Sequence, residues 1–318
     1  MSYMKSGRVI AKGKTKTIHA VAGTSGLVIL ESRDDLTKND DPSQTIKLPD
    51  KAKLSNLTAC GVFEAMRMTG FPIAYLDCLS NTEILAARCR MIPLEIVIRR
   101  FGAGSYLKRR GEPHATGHWR RNLLMPLVFE AFLKTEGGVI RDHHGNKLGS
   151  TPPDGKTGRP IDDPLIDNPN LDTWRLMHPK LPGKDSCADL GIDILASRII
   201  PGKTDIRKIE VISRLTFLFL EAAWENLGYR LIDMKLEFGI DPIGQLVIAD
   251  VIDNDNWRMS GPDGKEVSKQ LFRDNASISD IQESYRRIAA LASGKLSHQA
   301  ISSSKKALRQ LAAEKAMP

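Results

Sequence analysis

The stretch from Leu231 to Gly239 constrains the fold of this chain more than any other, because its side chains alternate between apolar and charged. In a β-strand, successive side chains point to opposite faces. One face would therefore carry Asp233, Lys235 and Glu237. The opposite face would carry four apolar side chains: Ile232, Met234, Leu236 and Phe238. Two carboxylates flanking an ammonium group suit an anionic ligand held by the lysine and a divalent cation held by oxygen atoms. A solvated outer face bearing an ion pair would explain the same pattern equally well.

The residues after this strand predict a hairpin. Asp-Pro-Ile-Gly is a turn sequence, and a mostly apolar stretch of eight residues that begins at Gln245 predicts the returning strand. If Ile240 pairs with Gln245 across the turn, Asp250 lies opposite Lys235, and Glu237 is its diagonal neighbour. A β-bulge would move Asp250 to the other face. Without a bulge, Glu237 and Asp250 converge and could hold Mg²⁺ together with water and phosphate oxygens.

Composition and charge narrow the functional classes. The 318 residues are enough for one large domain or two ordinary ones. A hydrophobic content of 41% and a charged content of 26% are typical of globular proteins. No apolar run approaches the roughly 20 residues that span a bilayer, and the first residues lack the apolar segment of a secretory signal. We therefore expect a cytoplasmic protein without a membrane role.

The formal net charge of +8 indicates anionic partners. Basic residues are spread along the chain and aromatic residues make up only 6% of it, so no stacking platform for nucleic acid is indicated. Small anionic substrates explain the charge equally well.

Cysteine and histidine positions indicate neither a zinc site nor a disulfide framework. The four cysteines show no CxxC spacing, so we expect reduced, structural thiols at Cys60, Cys78, Cys89 and Cys187. The seven histidines form no HExxH motif, and the pair at 143–144 lies in a polar stretch that is typical of a loop.

Hydrophobic periodicity predicts a mostly antiparallel sheet with one helix in the first hundred residues. The predicted strands occupy 7–36 (two or three strands), 72–79, 82–87 and 91–99, and the helix occupies 56–69. Further helices are predicted at 205–227, capped by Thr204 or Asp205, and at 277–292 and 302–316. The Gly-, Pro- and Asp-rich stretch 137–163 indicates a surface insertion or a mobile loop.

Two stretches combine glycine with basic residues. In the first, the backbone of Gly13 could approach a phosphate, and Lys14 and Lys16 would share a face if the stretch is extended. A basic edge strand is the simpler explanation, because no Walker motif is present. In the second, a buried-looking strand ends at Arg99, and a loop with glycines on either side of Ala103 leads to Ser105. An arginine fork beside such a loop suits a phosphate or a carboxylate.

These stretches resemble a known family. Residues 92–105 resemble the first signature of the phosphoribosylaminoimidazole-succinocarboxamide synthase (SAICAR synthetase) family, and residues 231–239 resemble its second signature. Residues 13–19 are similar to its Gly-Lys-x-Lys-Thr opening, and residues 163–164 and 269–273 are similar to further blocks. The resemblance covers nearly the whole chain.

The resemblance implies an ATP-dependent ligase of purine biosynthesis, which joins the carboxylate of carboxyaminoimidazole ribotide (CAIR) to the amine of L-aspartate. A carboxylate is a poor electrophile, so phosphoryl transfer to it supplies a leaving group, and that chemistry depends on positioning and charge neutralisation. ATP and Mg²⁺ are the implied cofactors. The small-molecule partners are ATP, CAIR and L-aspartate, and the chain could be a monomer or a homo-oligomer.

The resemblance also implies roles for individual residues. The implied nucleotide contacts are Gly13, Lys14, Lys16, Met91 (through its backbone), Lys134 and Glu237. The implied ribotide contacts are Arg99, Ser105, Asp233 and Arg258. Glu237 and Asp250 would hold Mg²⁺. Lys235 and Asp233 would be catalytic, with Lys235 between the ribotide and the γ-phosphate.

The expected fold is α+β. Residues 1–98 would form a mostly antiparallel β domain with a helix that covers the nucleotide, and residues 99–318 would form a larger α/β domain with the ribotide and metal sites. The nucleotide cleft between them, of the ATP-grasp or kinase type, is an analogy with enzymes that cover phosphates with a Gly-Lys strand.

Two departures from the family pattern affect the site. The family usually has an acid after the position of Asp250, where this chain has Val251, so any role of that acid is missing or moves to Asp253 or Asp255. The family's Gly-Asp-Gly block is replaced by Asn-Asp-Asp at 39–41, which keeps an acid but loses both glycines.

Two other functions stay open. A small-molecule kinase would use a similar Gly-Lys strand and acidic hairpin, although the protein-kinase His-Arg-Asp and Asp-Phe-Gly motifs are absent. A basic nucleic-acid-binding protein would show a steep salt dependence and no ATP turnover.

Overall fold

A computed structural model describes residues 6–38, 42–112, 123–201 and 205–315. The chain forms two compact units, each assembled from three segments that are distant in sequence. Unit 1 comprises residues 1–90, 218–231 and 239–308. Unit 2 comprises residues 91–217, 232–238 and 309–318.

Unit 1 contains a five-stranded antiparallel sheet. Its strands are β1 (Ser6–Lys12), β2 (Lys16–Val21), β3 (Thr24–Ser32), β6 (Tyr75–Cys78) and β7 (Glu83–Ala87). They lie in the order β1-β2-β3-β7-β6. Leu30 of β3 pairs with Ile18 on one side and with Ile84 on the other. Val21, Ile29 and Leu85 form a buried cluster in this sheet.

A short ribbon and a long helix follow β3. The ribbon pairs β4 (Asp35–Thr37) with β5 (Thr45–Lys47). Helix α1 (Lys51–Arg67) begins after Asp50, which has a positive φ of 64°. A side chain at Gly61 would collide with the carbonyl of Ala292, so the glycine lets α1 approach the backbone of that segment closely.

The remaining helices belong to unit 1, to unit 2 or in part to each. They are α2 (Ser105–Arg110), α3 (Ala196–Ile199), α4 (Ile206–Glu225), α5 (Gln270–Arg273), α6 (Ile278–Leu291) and α7 (Ala300–Lys315). Ile281 and Tyr285 of α6 pack with Leu54 of α1 in a buried cluster that also contains Leu36 and Leu48. No helix in the described ranges is long and apolar enough to cross a membrane.

Unit 2 is built on an antiparallel sheet. Its strands are β8 (Arg90–Phe101), β9 (Leu123–Leu133), β12 (Leu165–Ile166), β13 (Thr173–Met177) and β14 (Asp189–Leu195). The order β14-β13-β12-β9-β8 continues into β15 (Arg230–Ile240), whose residues 232–238 belong to unit 2. A separate ribbon pairs β10 (Val139–Arg141) with β11 (Lys147–Ser150).

The mixed fold with antiparallel sheets agrees with the α+β prediction, and most predicted elements are confirmed. Helix α1 begins five residues earlier than predicted, whereas α4 and α6 lie within the predicted ranges. The side chain of Asp205 accepts a hydrogen bond from the Arg207 N–H, so it satisfies one donor at the start of α4. Ser277 caps α6 by accepting from the Asp280 N–H.

The structure adds detail to two predictions about local structure. The stretch 137–163, predicted as a surface insertion or a mobile loop, contains the ribbon of β10 and β11. The side chain of Asp162 accepts a hydrogen bond from the Gly138 N–H, which closes the base of this segment. Residues 13–15 are not extended, because the Gly13 N–H donates to the Lys16 carbonyl in a turn between β1 and β2.

The hairpin after β15 also differs from its prediction. The Asp241 N–H donates to the Gln245 carbonyl at 2.9 Å, so this pair, rather than Ile240 and Gln245, closes the turn. Gly244 takes φ 86° in the turn. The returning strand β16 (Leu246–Ile248) ends before Asp250, so Asp250 lies in a bend outside the ladder.

The expectation of four reduced cysteines is wrong for two of them. Cys60 of α1 and Cys78 at the end of β6 form a disulfide, with their Cα atoms 6.0 Å apart. The amide of Asn56 lies 3.7 Å from each sulfur and donates to the Ser80 carbonyl. The pairing depends on the packing of α1 against β6, which cysteine spacing does not reveal.

Candidate active site

The two carboxylates on the charged face of β15 are buried, and Lys235 between them is 31% exposed. Asp233 is 3% exposed and Glu237 is 6% exposed. The ammonium group of Lys235 is 3.3 Å from Oε1 of Glu237, as expected for side chains two residues apart on one face. The alternative of a solvated outer face is therefore wrong. Buried carboxylates need partners, because an unpaired buried charge is strongly destabilising.

The partners of Asp233 belong to a buried group that we call the guanidinium cluster: Arg99, Arg109, Glu130 and Asp233. Arg99 Nη1 donates to Asp233 Oδ2 at 2.5 Å, and its Nε donates to Glu130 Oε2 at 2.6 Å. Arg109 donates to the other oxygen of Glu130 and to the Pro179 carbonyl. Both carboxylates are thus held by planar forks, which fix orientation as well as charge.

Strand register explains this arrangement. Glu130 of β9 pairs with Val97 of β8, so Arg99, two residues further along β8, is its diagonal neighbour. Burial disfavours the charge on Arg99, but Glu130 and Asp233 outweigh that effect and raise its pKa. Arg99 therefore keeps its charge in spite of its burial.

Ser105 lies at the edge of the guanidinium cluster. Gly104 precedes it with φ 56° and ψ −126°, a conformation that an L-residue rarely adopts. The Ser105 hydroxyl is 3.5 Å from Arg99 Nη2. The Gly-Ala-Gly loop thus brings the serine to the arginine, as the sequence predicts.

Glu237 is held by lysines. Lys134 donates to Glu237 Oε2 at 2.6 Å, and Lys235 contacts Oε1. Lys235 also lies 3.2 Å from Oε2 of Glu95. Burial alone would raise the pKa of Glu237, but Lys235 and Lys134 lower it below its ordinary value. Glu237 is therefore an ionised, buried carboxylate.

Unit 1 contains a second buried group, which we call the lysine cluster: Lys16, Lys51, Lys269, Asp253 and Asp255. Lys51 is 1% exposed, and its Nζ is 3.0 Å from Asp255 Oδ2. Lys269 is 3.8 Å from the same oxygen, and Lys16 is 3.6 Å from Asp253 Oδ2. Burial would raise the pKa of Asp255, but these lysines and the Tyr285 hydroxyl hold it far below its usual range.

The other predicted residues of unit 1 also have hydrogen-bond contacts. The carbonyls of Gly13 and Lys14 both accept from Arg33. Arg258 Nε donates to the side-chain oxygen of Gln270. Asp250 accepts from the Val251 N–H.

Met91 belongs to unit 2 and is 43% exposed near the start of β8. Residues 39–41, where the family block departs, lie outside the described residues.

The residues fit a magnesium ion only in part. In the described ranges, no three side chains of His, Cys, Asp or Glu gather at metal-ligand positions. Glu237 has the burial and the charge of a ligand, but lysines contact both of its oxygens. Mg²⁺ is commonly bound by one or two carboxylates plus substrate phosphates and water. The donor set therefore suits a metal that arrives with its nucleotide.

Sequence reasoning missed several partners. Glu130 stands alone as a charge in the apolar segment of β9, a signal that could have identified it. Glu95 occupies a similar position in β8. Lys51 gave no signal, because a lysine at the start of a helix is ordinarily exposed.

Comparisons with known proteins point to one family. The family model described as SAICAR synthetase matches residues 9–147 and 185–290. The phosphoribosylaminoimidazole-succinocarboxamide synthase of Chloroflexus aurantiacus is 30% identical over 91% of this chain and 97% of that protein. The probable multifunctional protein ADE2 of Caenorhabditis elegans is 30% identical over 86% of this chain and 54% of that protein.

Solved structures share the fold. The phosphoribosylaminoimidazole-succinocarboxamide synthase of Ehrlichia chaffeensis superposes with a TM-score of 0.67 at 21% identity, covering 90% of this chain and 98% of that one. A SAICAR synthetase in complex with ADP superposes with a TM-score of 0.65 at 23% identity, covering 91% and 98%. Together with the family model, these matches show that the chain belongs to the SAICAR synthetase family.

Proposed function

We propose that the chain catalyses the ATP-dependent joining of the CAIR carboxylate to the amine of L-aspartate, giving SAICAR, ADP and phosphate. The observation that carries the proposal is the charged face of β15, where Asp233 and Glu237 are buried and where Asp233, Lys235 and Glu237 each have opposite-charge partners. Membership of the family and the likeness to a synthetase in complex with ADP support the use of a nucleotide.

The guanidinium cluster is the proposed ribotide site. Arg99 and Ser105 would offer donors to the phosphate or carboxylate of CAIR, and Asp233 would accept hydrogen bonds from its hydroxyl or amino groups. Because Arg99 Nη1 donates to Asp233, Arg99 also fixes the orientation of this carboxylate acceptor. Arg258 of unit 1 is proposed as a further ribotide contact.

Lys235 is the proposed catalytic cation. Its ammonium group is anchored between Glu95 and Glu237, at 3.2 and 3.3 Å, so it is held in place before any substrate binds. A positioned cation stabilises the charge that develops as a phosphoryl group moves to a carboxylate.

The remaining nucleotide contacts stay as the resemblance implies: Gly13, Lys14, Lys16, Met91 and Lys134. The ATP-grasp-like or kinase-like cleft likewise stays a prediction.

Magnesium would be held by Glu237 and Asp250 in this proposal, and it would supply charge neutralisation at the phosphates. Asp250→Asn removes one negative ligand at a position that is only partly buried. We expect the Mg²⁺ concentration for half-maximal turnover to rise several-fold, while the unfolding midpoint is retained. An unchanged Mg²⁺ titration would remove Asp250 from the site.

The experiment that tests the function is ADP release, measured with CAIR and aspartate supplied together and singly. The ligase requires both for sustained turnover. A small-molecule kinase would release ADP with a hydroxyl substrate and would not need aspartate, and a nucleic-acid-binding protein would release none. Oxygen-18 in the CAIR carboxylate should appear in the released phosphate, because the proposed route activates that carboxylate before the amine attacks. Label absent from phosphate would exclude the route.

A further inference from the structure

Asp163 has a backbone conformation that residues other than glycine rarely adopt. Its φ is 50°, in the left-handed region where the Cβ atom is crowded by a carbonyl oxygen. Such conformations persist where surrounding contacts hold them, and they cluster at functional sites. The contacts of Asp163 lead to Thr135, the residue after Lys134.

Asp163 and Thr135 hold each other by two hydrogen bonds. The Thr135 N–H donates to Asp163 Oδ1 at 3.0 Å, and the Asp163 N–H donates to Thr135 Oγ1 at 3.0 Å. The same hydroxyl donates to Asp162 Oδ1 at 2.8 Å. We call these three residues the threonine clasp. Its geometry depends on one hydroxyl group that accepts and donates at the same time.

The clasp fixes the backbone that carries Lys134. The Lys134 N–H donates to the Pro93 carbonyl, and the Leu133 N–H donates to the Pro164 carbonyl, both at 2.9 Å. Together with the Thr135 N–H, three consecutive backbone donors are therefore engaged. The main chain at Lys134 is held by β8 on one side and by the segment of the clasp on the other.

The side chain of Lys134 is less constrained than its backbone. It is 40% exposed, and its Nζ donates to Glu237 Oε2 at 2.6 Å. A lysine stem has four carbons and many rotamers, so one contact at its tip does not fix its path. A fixed Cα atom sets the direction in which the stem leaves the backbone, and it thereby narrows the region that the ammonium group reaches.

The carboxyl group of Asp163 also interacts electrostatically with this site. Burial raises its pKa, the hydrogen bond from the Thr135 N–H and the charge of Lys134 oppose that effect, and the charge of Glu95 adds to it. Glu95 is the carboxylate that anchors Lys235. Asp163 therefore lies within electrostatic range of Lys134 and of the residue that holds the proposed catalytic cation.

We propose that Thr135 and Asp163 are positioning residues, which hold Lys134 where its ammonium group meets the phosphates of the nucleotide. The inference rests on the proposed function, in which Lys134 contacts the nucleotide. In a purely structural role, the clasp would only close the segment that contains β10 and β11, as the bond from the Gly138 N–H to Asp162 does. The two roles predict different effects on ATP affinity.

Two variants of Thr135 test the hydroxyl group. Thr135→Val has nearly the same size but can neither accept from Asp163 nor donate to Asp162, whereas Thr135→Ser can do both. In the ADP-release assay, Thr135→Val should raise the KM for ATP about tenfold and leave the KM values for CAIR and aspartate unchanged. Thr135→Ser should restore the wild-type value. Thr173→Val, at an exposed position of β13, is the matched control and should leave all three KM values unchanged.

Two variants of Asp163 separate the carboxyl oxygen from the backbone conformation. Asp163→Asn keeps an acceptor at Oδ1 and tolerates a positive φ. Asp163→Gly relieves the backbone but removes the acceptor. The KM for ATP should stay within about twofold of the wild type in Asp163→Asn and should rise about tenfold in Asp163→Gly.

A double variant distinguishes positioning from a general loss of structure. If the clasp acts through Lys134, then Lys134→Ala raises the KM for ATP by itself, and adding Thr135→Val should raise it no further. Independent effects would multiply. The unfolding midpoints, measured in parallel, show whether each variant retains its fold.

Four results would overturn the inference. These are multiplying effects of Lys134→Ala and Thr135→Val, a parallel rise in all three KM values in Thr135→Val, a wild-type KM for ATP in Asp163→Gly, or equal losses in Asp163→Asn and Asp163→Gly. Wild-type ADP release that does not need aspartate would instead refute the proposed function. The ATP affinity of the same variants, measured by calorimetry without CAIR or aspartate, would then still test the clasp.

Discussion

The guanidinium cluster of unit 2 and the lysine cluster of unit 1 both place carboxylates in buried surroundings beside cations. They differ in the type of cation. In the guanidinium cluster, Arg99 and Arg109 donate directed hydrogen bonds to Glu130 and Asp233. In the lysine cluster, Oδ2 of Asp255 lies 3.0 Å from the ammonium group of Lys51 and 3.8 Å from that of Lys269. Among the described residues, this oxygen accepts no directed hydrogen bond.

This difference indicates how the type of cation determines what each cluster can do. A guanidinium group is planar and holds a carboxylate in one orientation, whereas an ammonium group is a compact charge that can turn toward a new partner. The guanidinium cluster therefore suits a site that must present Asp233 in a fixed direction. The lysine cluster suits a site whose cation, Lys16, can also face nucleotide phosphates, as the proposed function requires.

The largest expected effect is on the lysine cluster. Asp255→Asn leaves Lys51 buried without its nearest counter-charge, and breaking such a pair costs about 3–5 kcal/mol of unfolding free energy. Urea unfolding at pH 7 measures it. Because the folded pKa of Asp255 is lowered, its contribution is present above the unfolded pKa of about 3.9 and is lost as pH falls toward the folded value. The difference in unfolding free energy between wild type and variant should therefore be constant from about pH 5 to 8 and should become smaller below about pH 4.

The control for this variant is Asp263→Asn, which removes an acid that is 50% exposed and 4.0 Å from Lys265. It should unfold like the wild type. Equal losses for the two variants would mean that the lysine cluster is no more important to stability than a surface pair.

The next effect concerns the attachment of α1, the helix that begins with Lys51. Cys60 and Cys78 are 18 residues apart, and a bridge of that loop length contributes about 3 kcal/mol. A reductant should lower the unfolding free energy by about that amount and should not lower that of a Cys60→Ala variant further.

Thiol labelling gives a second test of the bridge. Burial raises the pKa of the Cys89 thiol to about 11, so a thiol reagent at pH 8 should label the exposed Cys187 first. Fast labelling of two additional cysteines in the native, unreduced protein would contradict the disulfide.

The third effect tests whether direction matters in the guanidinium cluster. Arg99→Lys keeps a cation but cannot hold Asp233 and Glu130 together, so the KM for CAIR should rise about 10- to 100-fold while the KM for ATP holds. Arg109→Lys is the matched variant, because it alters the same Glu130 and leaves the bond to Asp233 intact. A similar loss of CAIR affinity in both variants would show that Glu130, not the orientation of Asp233, controls the site.

Much of the unit 2 site was predictable because its signals are local. Alternation in β15 predicted the face that carries Asp233, Lys235 and Glu237, and the Gly-rich loop predicted the meeting of Ser105 and Arg99. The role of Glu130 was not predictable, because it depends on the register of β8 and β9. Pro126 within the β9 sequence also lowers the expectation of a strand there.

The lysine cluster was not predictable from the sequence. Lys51 and Asp255 are about 200 positions apart, and each stands in a stretch whose polar character is ordinary for a helix start or a loop. The bridge between Cys60 and Cys78 was missed for a similar reason, since it depends on how a helix packs on a sheet. The hairpin register was missed because a three-residue loop with a left-handed glycine and a four-residue loop are both compatible with Asp-Pro-Ile-Gly.

The smallest expected effect concerns an exposed guanidinium fork and its contribution to stability. Arg175 of β13 contacts Asp189 and Asp193 of β14 at 2.8 and 2.9 Å, with the same fork geometry as Arg99, but its side chain is 40% exposed. Water and salt screen such pairs, and the side chains lose entropy on pairing. Arg175→Gln should therefore leave the midpoint of thermal unfolding within about 2 °C of the wild type and all KM values unchanged. A larger shift, especially one that high salt abolishes, would mean that fork geometry stabilises this protein without burial, and the contrast between the two clusters would then rest on cation type alone.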